Sequence, residues 1–218
     1  MEDLLEPLAL FAVAMGAALI GVEAGRRRLL VLAKPLCTLS LVAVAYDGKL
    51  DLTMALVLGG LGFSLLGDIA LLFENDAAFM AGLALFLVAH LAYVGAFVYG
   101  GVGPLWTPIV GVAVFSGSAG WLVKQIWPRV GAGMRGAVLV YAATITAMAS
   151  TAFATLAGGW PSAAAGAAAF GALFFFLSDA TLAWTRFVQP FRHAQLFTLV
   201  LYWVGQLGIA LAARWSVG

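Results

Sequence analysis

Eight apolar runs, each close to the length of a membrane-spanning helix, follow one another along this chain with only short breaks between them. A bilayer core of about 30 Å takes about 20 apolar residues per helix. Eight such spans therefore use up nearly all of the 218 residues, of which 64% are hydrophobic and 10% charged. No soluble domain fits in the remainder. The expected fold is all-α: a polytopic integral membrane protein of about eight transmembrane helices in a single bundle, with residues 1–218 as one domain.

The runs place helices at roughly 4–24, 29–46, 52–73, 77–99, 106–123, 134–156, 162–184 and 194–213. Turn-forming residues mark the breaks: Arg26-Arg27-Arg28, Asp47-Gly48-Lys49, Glu74-Asn75-Asp76, Gly100 to Pro104, Pro128-Arg129, Gly158-Gly159-Trp160-Pro161 and Gln189-Pro190. Such short joints make sequence neighbours antiparallel. Abundant Gly and Ala within the spans suit close helix packing in lipid. Glu2, Asp3 and Glu6 occupy the place of a basic leader region, so the first run is expected to be a retained span rather than a signal peptide.

The net charge of +1 provides no basic face for phosphates, and no nucleic-acid partner is expected. Cys37, the single cysteine, has no internal disulfide partner and reads as a small core residue. Basic residues set the orientation. Arg26, Arg27, Arg28, Lys34, Lys124, Arg129, Arg135, Arg186 and Arg192 lie in or beside the joints after spans one, five and seven, whereas the opposite side holds only Lys49 and Arg214. The joint after span three shares the basic side but carries Glu74 and Asp76. Both termini are therefore expected outside and the basic joints in the cytoplasm, with a bacterial inner membrane as the location. Trp106, Trp121, Trp127, Trp160, Trp184 and Trp215 fall near span ends, the usual place for interfacial aromatics.

Against this background two carboxylates stand out. Asp68 and Asp179 sit inside apolar runs in similar settings, Leu66-Gly67-Asp68-Ile69-Ala70-Leu71 and Leu177-Ser178-Asp179-Ala180-Thr181-Leu182. A carboxylate in the bilayer interior costs about 2.5–3.5 kcal/mol even on lenient insertion scales. The topology runs spans three and seven in the same direction, with each aspartate expected about five residues before the cytoplasmic end and the two at matching depth. The matched framing does not extend to the other helices as a convincing repeat.

Depth and helical spacing select the companions. Lys34, before Pro35, either snorkels to the interface or pairs with a carboxylate or a lipid phosphate. Ser64 shares a helix face with Asp68, and Ser178 adjoins Asp179; serines in helices also bond back to their own backbone. His90 and Tyr93, three residues apart, face the same way, with His90 nearer mid-span than the aspartates. Tyr141, and Tyr202 with Gln206 four residues on, either line a site or join helices. Glu23, Arg192 and His193 read as interfacial. The stripe Phe174-Phe175-Phe176 reads as lipid-facing or core packing.

Several chemistries are excluded. With only His90 and His193 in the chain, a three-histidine zinc site cannot be built. Ser116-Gly117-Ser118-Ala119-Gly120 lacks the first glycine of a nucleophile elbow and has no evident base beside it. Phosphate- and dinucleotide-binding glycine patterns lack their strand-then-helix setting. Acid–base chemistry by two carboxylates remains, without metal or cofactor.

The chain resembles the YhhN-like lysoplasmalogenases, small polytopic membrane hydrolases. The likeness lies in Lys34-Pro35, Ser64-Leu65-Leu66-Gly67-Asp68, Phe86 to His90 with Tyr93, Gly171-Ala172-Leu173-Phe174 leading to Ser178-Asp179, and Tyr202-Trp203 with Gln206. These pieces occur in order over nearly the whole chain. The resemblance implies hydrolysis of the vinyl ether bond of a lysoplasmalogen, a lysophospholipid substrate, to a fatty aldehyde and a glycerophospho-headgroup. Such a bond is cleaved by protonating the alkene carbon remote from oxygen, which leaves an oxocarbenium ion for water to capture. One carboxylic acid and one carboxylate suit this task, as in glycosidases, and low-dielectric surroundings favour such a division between paired carboxyls. On this reading Asp68 and Asp179 form the pair with their order open. Tyr141, His90 and Gln206 position water or the ether oxygen, and Lys34 holds the phosphate. The competing class is a small transporter using the same carboxylates as a proton relay or cation site. It would require polar residues through the outer halves of the spans, which are sparsely polar. A structural factor would leave both aspartates unexplained.

Overall fold

The computed structural model describes residues 2–73 and 75–216. Its helices are α1 (Glu2–Glu23), α2 (Arg27–Ala45), α3 (Leu52–Ala70), α4 (Asp76–Tyr99), α5 (Trp106–Ile126), α6 (Ala132–Ala154), α7 (Ser162–Phe187) and α8 (Ala194–Ser216). All eight are long and apolar enough to cross a membrane, and no strand occurs among the described residues. The protein is an all-helical integral membrane protein, and every expected span is present. Glu74, assigned from the sequence to the acidic joint after the third span, lies outside the described residues.

Local chemistry sets the helix ends. Asp51 and Asn75 cap α3 and α4 by accepting from the backbone N–H groups of Met54 and Ala78 at 2.7 and 2.8 Å, a side-chain substitute for the missing intrahelical acceptor. Arg214 of α8 donates to the carbonyls of Val44 and Tyr46, both at 3.3 Å, placing a cation at the negative end of the α2 dipole. Gly25, with φ of +62°, makes the tight α1–α2 joint in a conformation that favours glycine.

Two boundaries differ from expectation, with consequences for the aspartates. Helix α3 stops at Ala70 rather than near residue 73, because the Asn75 cap must be extended (φ −126°, ψ 160°) and the chain leaves the helix to reach it. Helix α7 runs on to Phe187, since the next breaker is Pro190, which disfavours helix at the preceding residue. Asp68 therefore lies in the last turn of α3, whereas Asp179 has two further turns of α7 beyond it. The expected equal distance from the helix ends does not hold.

Consecutive helices pack as hairpins, α1 with α2, α3 with α4, α5 with α6, and α7 with α8. In lipid this association comes from close van der Waals packing rather than from expulsion of water. It is tightest between α7 and α8. A Cβ added at Gly171 would lie 2.7 Å from the Gly205 carbonyl oxygen and 2.7 Å from the Ile209 nitrogen, and one at Gly208 would lie 2.6 Å from the Gly171 Cα. The backbones touch because these side chains are absent.

The joints after α1, α3, α5 and α7 gather at one end of the bundle. Arg186 of α7 pairs there with Asp76 of α4, and His193 Nδ1 lies 3.2 Å from Glu23 Oε2. Trp160 departs from its expected interfacial place. It is only 7% exposed, packed edge-on against Phe97 with ring centroids 5.9 Å apart. Its indole occupies the space a Cβ at Gly100 would fill, at 2.7 Å. The glycine-rich joint after α6 folds inward over the turn after α4, where the Gly103 N–H donates to the Ala154 carbonyl at 2.9 Å.

Candidate active site

A cavity of about 280 Å³ opens at the end that gathers these four joints, and both Asp68 and Asp179 line it. Its walls come from α2, α3, α4, α7, the α7–α8 joint and α8, including Lys34, Phe86, Ser178, Pro190 and Tyr202.

Asp68, 1% exposed, is surrounded by donors. Lys34 Nζ lies 3.1 Å from its Oδ1 and also donates to the Asp68 backbone carbonyl at 3.2 Å. Thr38 Oγ1 and Tyr202 Oη both donate to Oδ2, at 2.9 and 2.8 Å. Three donors, one of them an ammonium, form the setting that makes a buried carboxylate tolerable. The sequence reading missed Thr38. It stands four residues after Lys34, hence on the same face of α2, and that spacing was the available signal.

Asp179 is held differently. Tyr141 Oη of α6 donates to its Oδ2 at 2.6 Å, and His90 Nε2 approaches the same oxygen at 3.7 Å, beyond hydrogen-bond reach. His90 is fully buried and neither ring nitrogen has a partner among the described residues. It is wedged edge-on between Phe175 and Tyr141, with ring centroids 4.7 and 5.3 Å away. Phe175 also packs edge-on against Tyr202 at 5.3 Å, as does Phe86 at 5.7 Å. Phe175, assigned to lipid-facing or core packing from the sequence, is a fully buried core residue that bridges the His90 and Tyr202 rings.

The remaining candidates support the pair from a distance. Tyr93 Oη donates to Gln206 Oε1 at 2.8 Å, and Gln206 Nε2 donates to Tyr202 Oη at 3.4 Å. A buried chain of bonds thus runs from α4 through α8 to Asp68 on α3. The Tyr93 ring fits because residue 60 is glycine; a Cβ there would lie 2.3 Å from the ring. Ser64 is buried, and its hydroxyl makes no hydrogen bond among the described residues. Ser178 does not bond Asp179. Its hydroxyl donates to the Thr198 carbonyl at 3.0 Å and fastens α7 to α8 beside the cavity.

Two further spaces adjoin the cavity. One, of about 270 Å³, shares Lys34, Leu71, Gln195 and Leu199 with it and extends to Arg27, whose guanidinium donates to the Leu72 carbonyl at 3.1 Å. The other, of about 80 Å³, lies between α4, α5, α6 and α7, and only Tyr141 and Asp179 bring polar side chains to it. Asp179 thus faces a polar space on one side and an apolar space on the other.

The arrangement of two unlike carboxyl settings on one cavity extends over the stretch matched by the model of the YhhN family, residues 29–213. The chain belongs to the YhhN family. It is 34% identical to lysoplasmalogenase TMEM86A of Homo sapiens over 71% of this chain and 63% of that protein. It is 35% identical to lysoplasmalogenase TMEM86B of Homo sapiens over 72% of this chain and 63% of that protein, and TMEM86B of Sus scrofa is 34% identical over the same shares. The chain therefore spans less than two thirds of the length of these relatives. No solved structure matches it.

Proposed function

We propose that this YhhN family member is a membrane-embedded lysoplasmalogenase, hydrolysing the vinyl ether bond of a lysophospholipid to a fatty aldehyde and a glycerophospho-headgroup. The observation that carries the reading is the pair of aspartates on one cavity in opposite settings. Asp68 is ringed by donors, whereas Asp179 has one phenol and an unpaired imidazole beside it and an apolar space behind it. The names of the relatives agree with it.

In this mechanism Asp179 is the acid. It delivers its proton to the alkene carbon remote from the ether oxygen, and the adjacent carbon becomes an oxocarbenium centre. Asp68, anchored as a carboxylate by Lys34, Thr38 and Tyr202, offsets that positive charge and accepts a proton from the attacking water. The hemiacetal then collapses: its hydroxyl proton is lost, the carbon–oxygen bond to the glycerol breaks, and the glycerol oxygen takes a proton. The proton that Asp68 took from water passes through the cavity to Asp179, which restores both groups. The net change is addition of one water and release of aldehyde and alcohol. Tyr141 orients Asp179, while His90, with free ring nitrogens, holds water. Tyr93 and Gln206 set Tyr202 and through it Asp68. Lys34 is occupied by Asp68, so the substrate phosphate rests chiefly on Arg27 in the adjoining space, within reach of the Lys34 charge.

The bias of basic residues toward these joints supports a cytoplasmic side for this cavity, with both termini outside; a bacterial inner membrane is the location proposed with it. A transport path would need polar side chains continuing to the far end of the bundle. Here the buried polar chain ends around Tyr93 and Ser64, which favours hydrolysis.

The test is incubation of the purified protein with a lysoplasmalogen and with an acyl lysolipid of the same headgroup, assayed for free aldehyde. Aldehyde from the vinyl ether alone is expected, and general acid–base roles predict a loss of about 10²–10⁴-fold in folded Asp179→Asn and Asp68→Asn variants. Full activity in either variant would refute the mechanism.

A further inference from the structure

The apolar space behind Asp179 is too small for a lipid chain. At about 80 Å³ it has less room than three waters occupy in the liquid, at about 30 Å³ each. It meets, at Leu122, Phe176 and Ala180, a groove of about 1230 Å³ between α5 and the α7–α8 hairpin. That groove runs along α5 from Trp106 to Trp121, about 22 Å at the helical rise per residue. This exceeds the depth of one leaflet, about half of a 30 Å core. Trp121 stacks in parallel with Trp184 of α7, ring centroids 6.0 Å apart, at the end nearer the aspartate cavity.

We propose that the α5/α7/α8 groove seats the long hydrocarbon chain of the lysolipid, and that the small space at Leu122, Phe176 and Ala180 carries the first carbons of the chain to Asp179. This deepens the hydrolase reading and rests on it for the substrate class. Three observations converge on that occupant. The groove shares Leu122, Phe176 and Ala180 with the small space that Asp179 lines. Its length suits one extended chain. Its axis lies along the bundle, so that a lipid with its headgroup near Arg27 directs its tail toward mid-bilayer.

Gly117 gives the means to test it. It lines the groove, and a Cβ there would meet nothing within 4 Å, so a large side chain enters the groove without disturbing the helix. Gly120, on the same helix, is equally open but lies outside the groove lining. Gly117→Phe is expected to lower kcat/KM for a long-chain alkenyl lysolipid at least about tenfold, the scale of pocket discrimination between chains. A short-chain substrate should be cleaved as by wild type, and Gly120→Phe should leave both unchanged. If Gly117→Phe behaves like Gly120→Phe, the groove holds annular lipid only and the proposal is overturned.

A second arm is independent of hydrolysis. A saturated alkyl-ether lysolipid with a diazirine in its tail is irradiated with the wild-type protein in liposomes, and the adducts are mapped by mass spectrometry. Adducts on groove residues such as Val114 and Leu173, lost in Gly117→Phe, support the seat even if no vinyl ether is cleaved. Adducts elsewhere, with vinyl ether cleavage intact, refute the seat and leave the hydrolase reading standing.

Discussion

Lys34 holds both ends of one residue: its ammonium lies 3.1 Å from the Asp68 carboxylate and 3.2 Å from the Asp68 backbone carbonyl. The lysine thereby fixes the last turn of α3 against the start of α2 while offsetting a buried charge. Removing one member of such a pair strands the other. Lys34→Met is expected to destabilise the protein by about 3–5 kcal/mol, and Lys34→Met combined with Asp68→Asn should recover most of that loss while remaining inactive. Thermal unfolding in detergent, run beside the aldehyde assay, checks both statements.

The two carboxyl settings predict different partners for each aspartate. Tyr141→Phe removes only the 2.6 Å bond to Asp179. Hydrogen bonds to charged groups contribute about 1.5–3 kcal/mol, so activity should fall about 10- to 100-fold with KM little changed. A larger rise in KM than fall in kcat would assign Tyr141 to substrate binding instead.

His90 separates stability from function. Neither ring nitrogen has a protein partner among the described residues, so replacing the ring breaks no bond to the protein. His90→Phe should therefore fold as well as wild type or better, while losing hydrolysis because the water-holding nitrogen is gone. Unchanged turnover in His90→Phe would reduce the histidine to packing.

Arg27 should act on binding alone. An interaction made equally in ground and transition states raises KM without touching kcat when removed. Arg27→Gln is expected to raise KM for a phosphate-bearing lysolipid several-fold, kcat being retained, and steady-state kinetics over a range of lipid mole fractions reads the split.

Gly171 tests the packing of the helix that carries Asp179. A Cβ at this position meets backbone atoms of α8, which cannot turn aside as a side chain would. Gly171→Ala should cost about 1–3 kcal/mol by overpacking and lower activity beyond what the loss of stability explains.

The spans could be read from the sequence because lipid permits so few structures that length and hydropathy nearly decide them. Asp68 and Asp179 showed themselves for a related reason: their cost in lipid has to be offset by partners. Helix ends were less clear, and Asp68 in particular moved to the last turn of α3 because the Asn75 cap sets where that helix stops. Phe175 was readable as packing, but not as the ring that bridges His90 and Tyr202. In a membrane protein the interior and the lipid face draw on the same apolar residues, so composition does not tell them apart. Trp160 failed in the same way, since its burial depends on a glycine joint folding inward. The small space and groove beside Asp179 depend on how far α5 stands from α7, a distance no local pattern encodes.

Asp179 lines both a polar cavity at the end of the bundle and a small apolar space that borders a groove along its flank. A substrate cut there becomes two molecules with opposite solvent preferences. In the proposed reaction the phosphorylated alcohol departs into water and the aldehyde slides sideways into the bilayer, each by its own outlet. Neither product then has to wait for the other to clear the site.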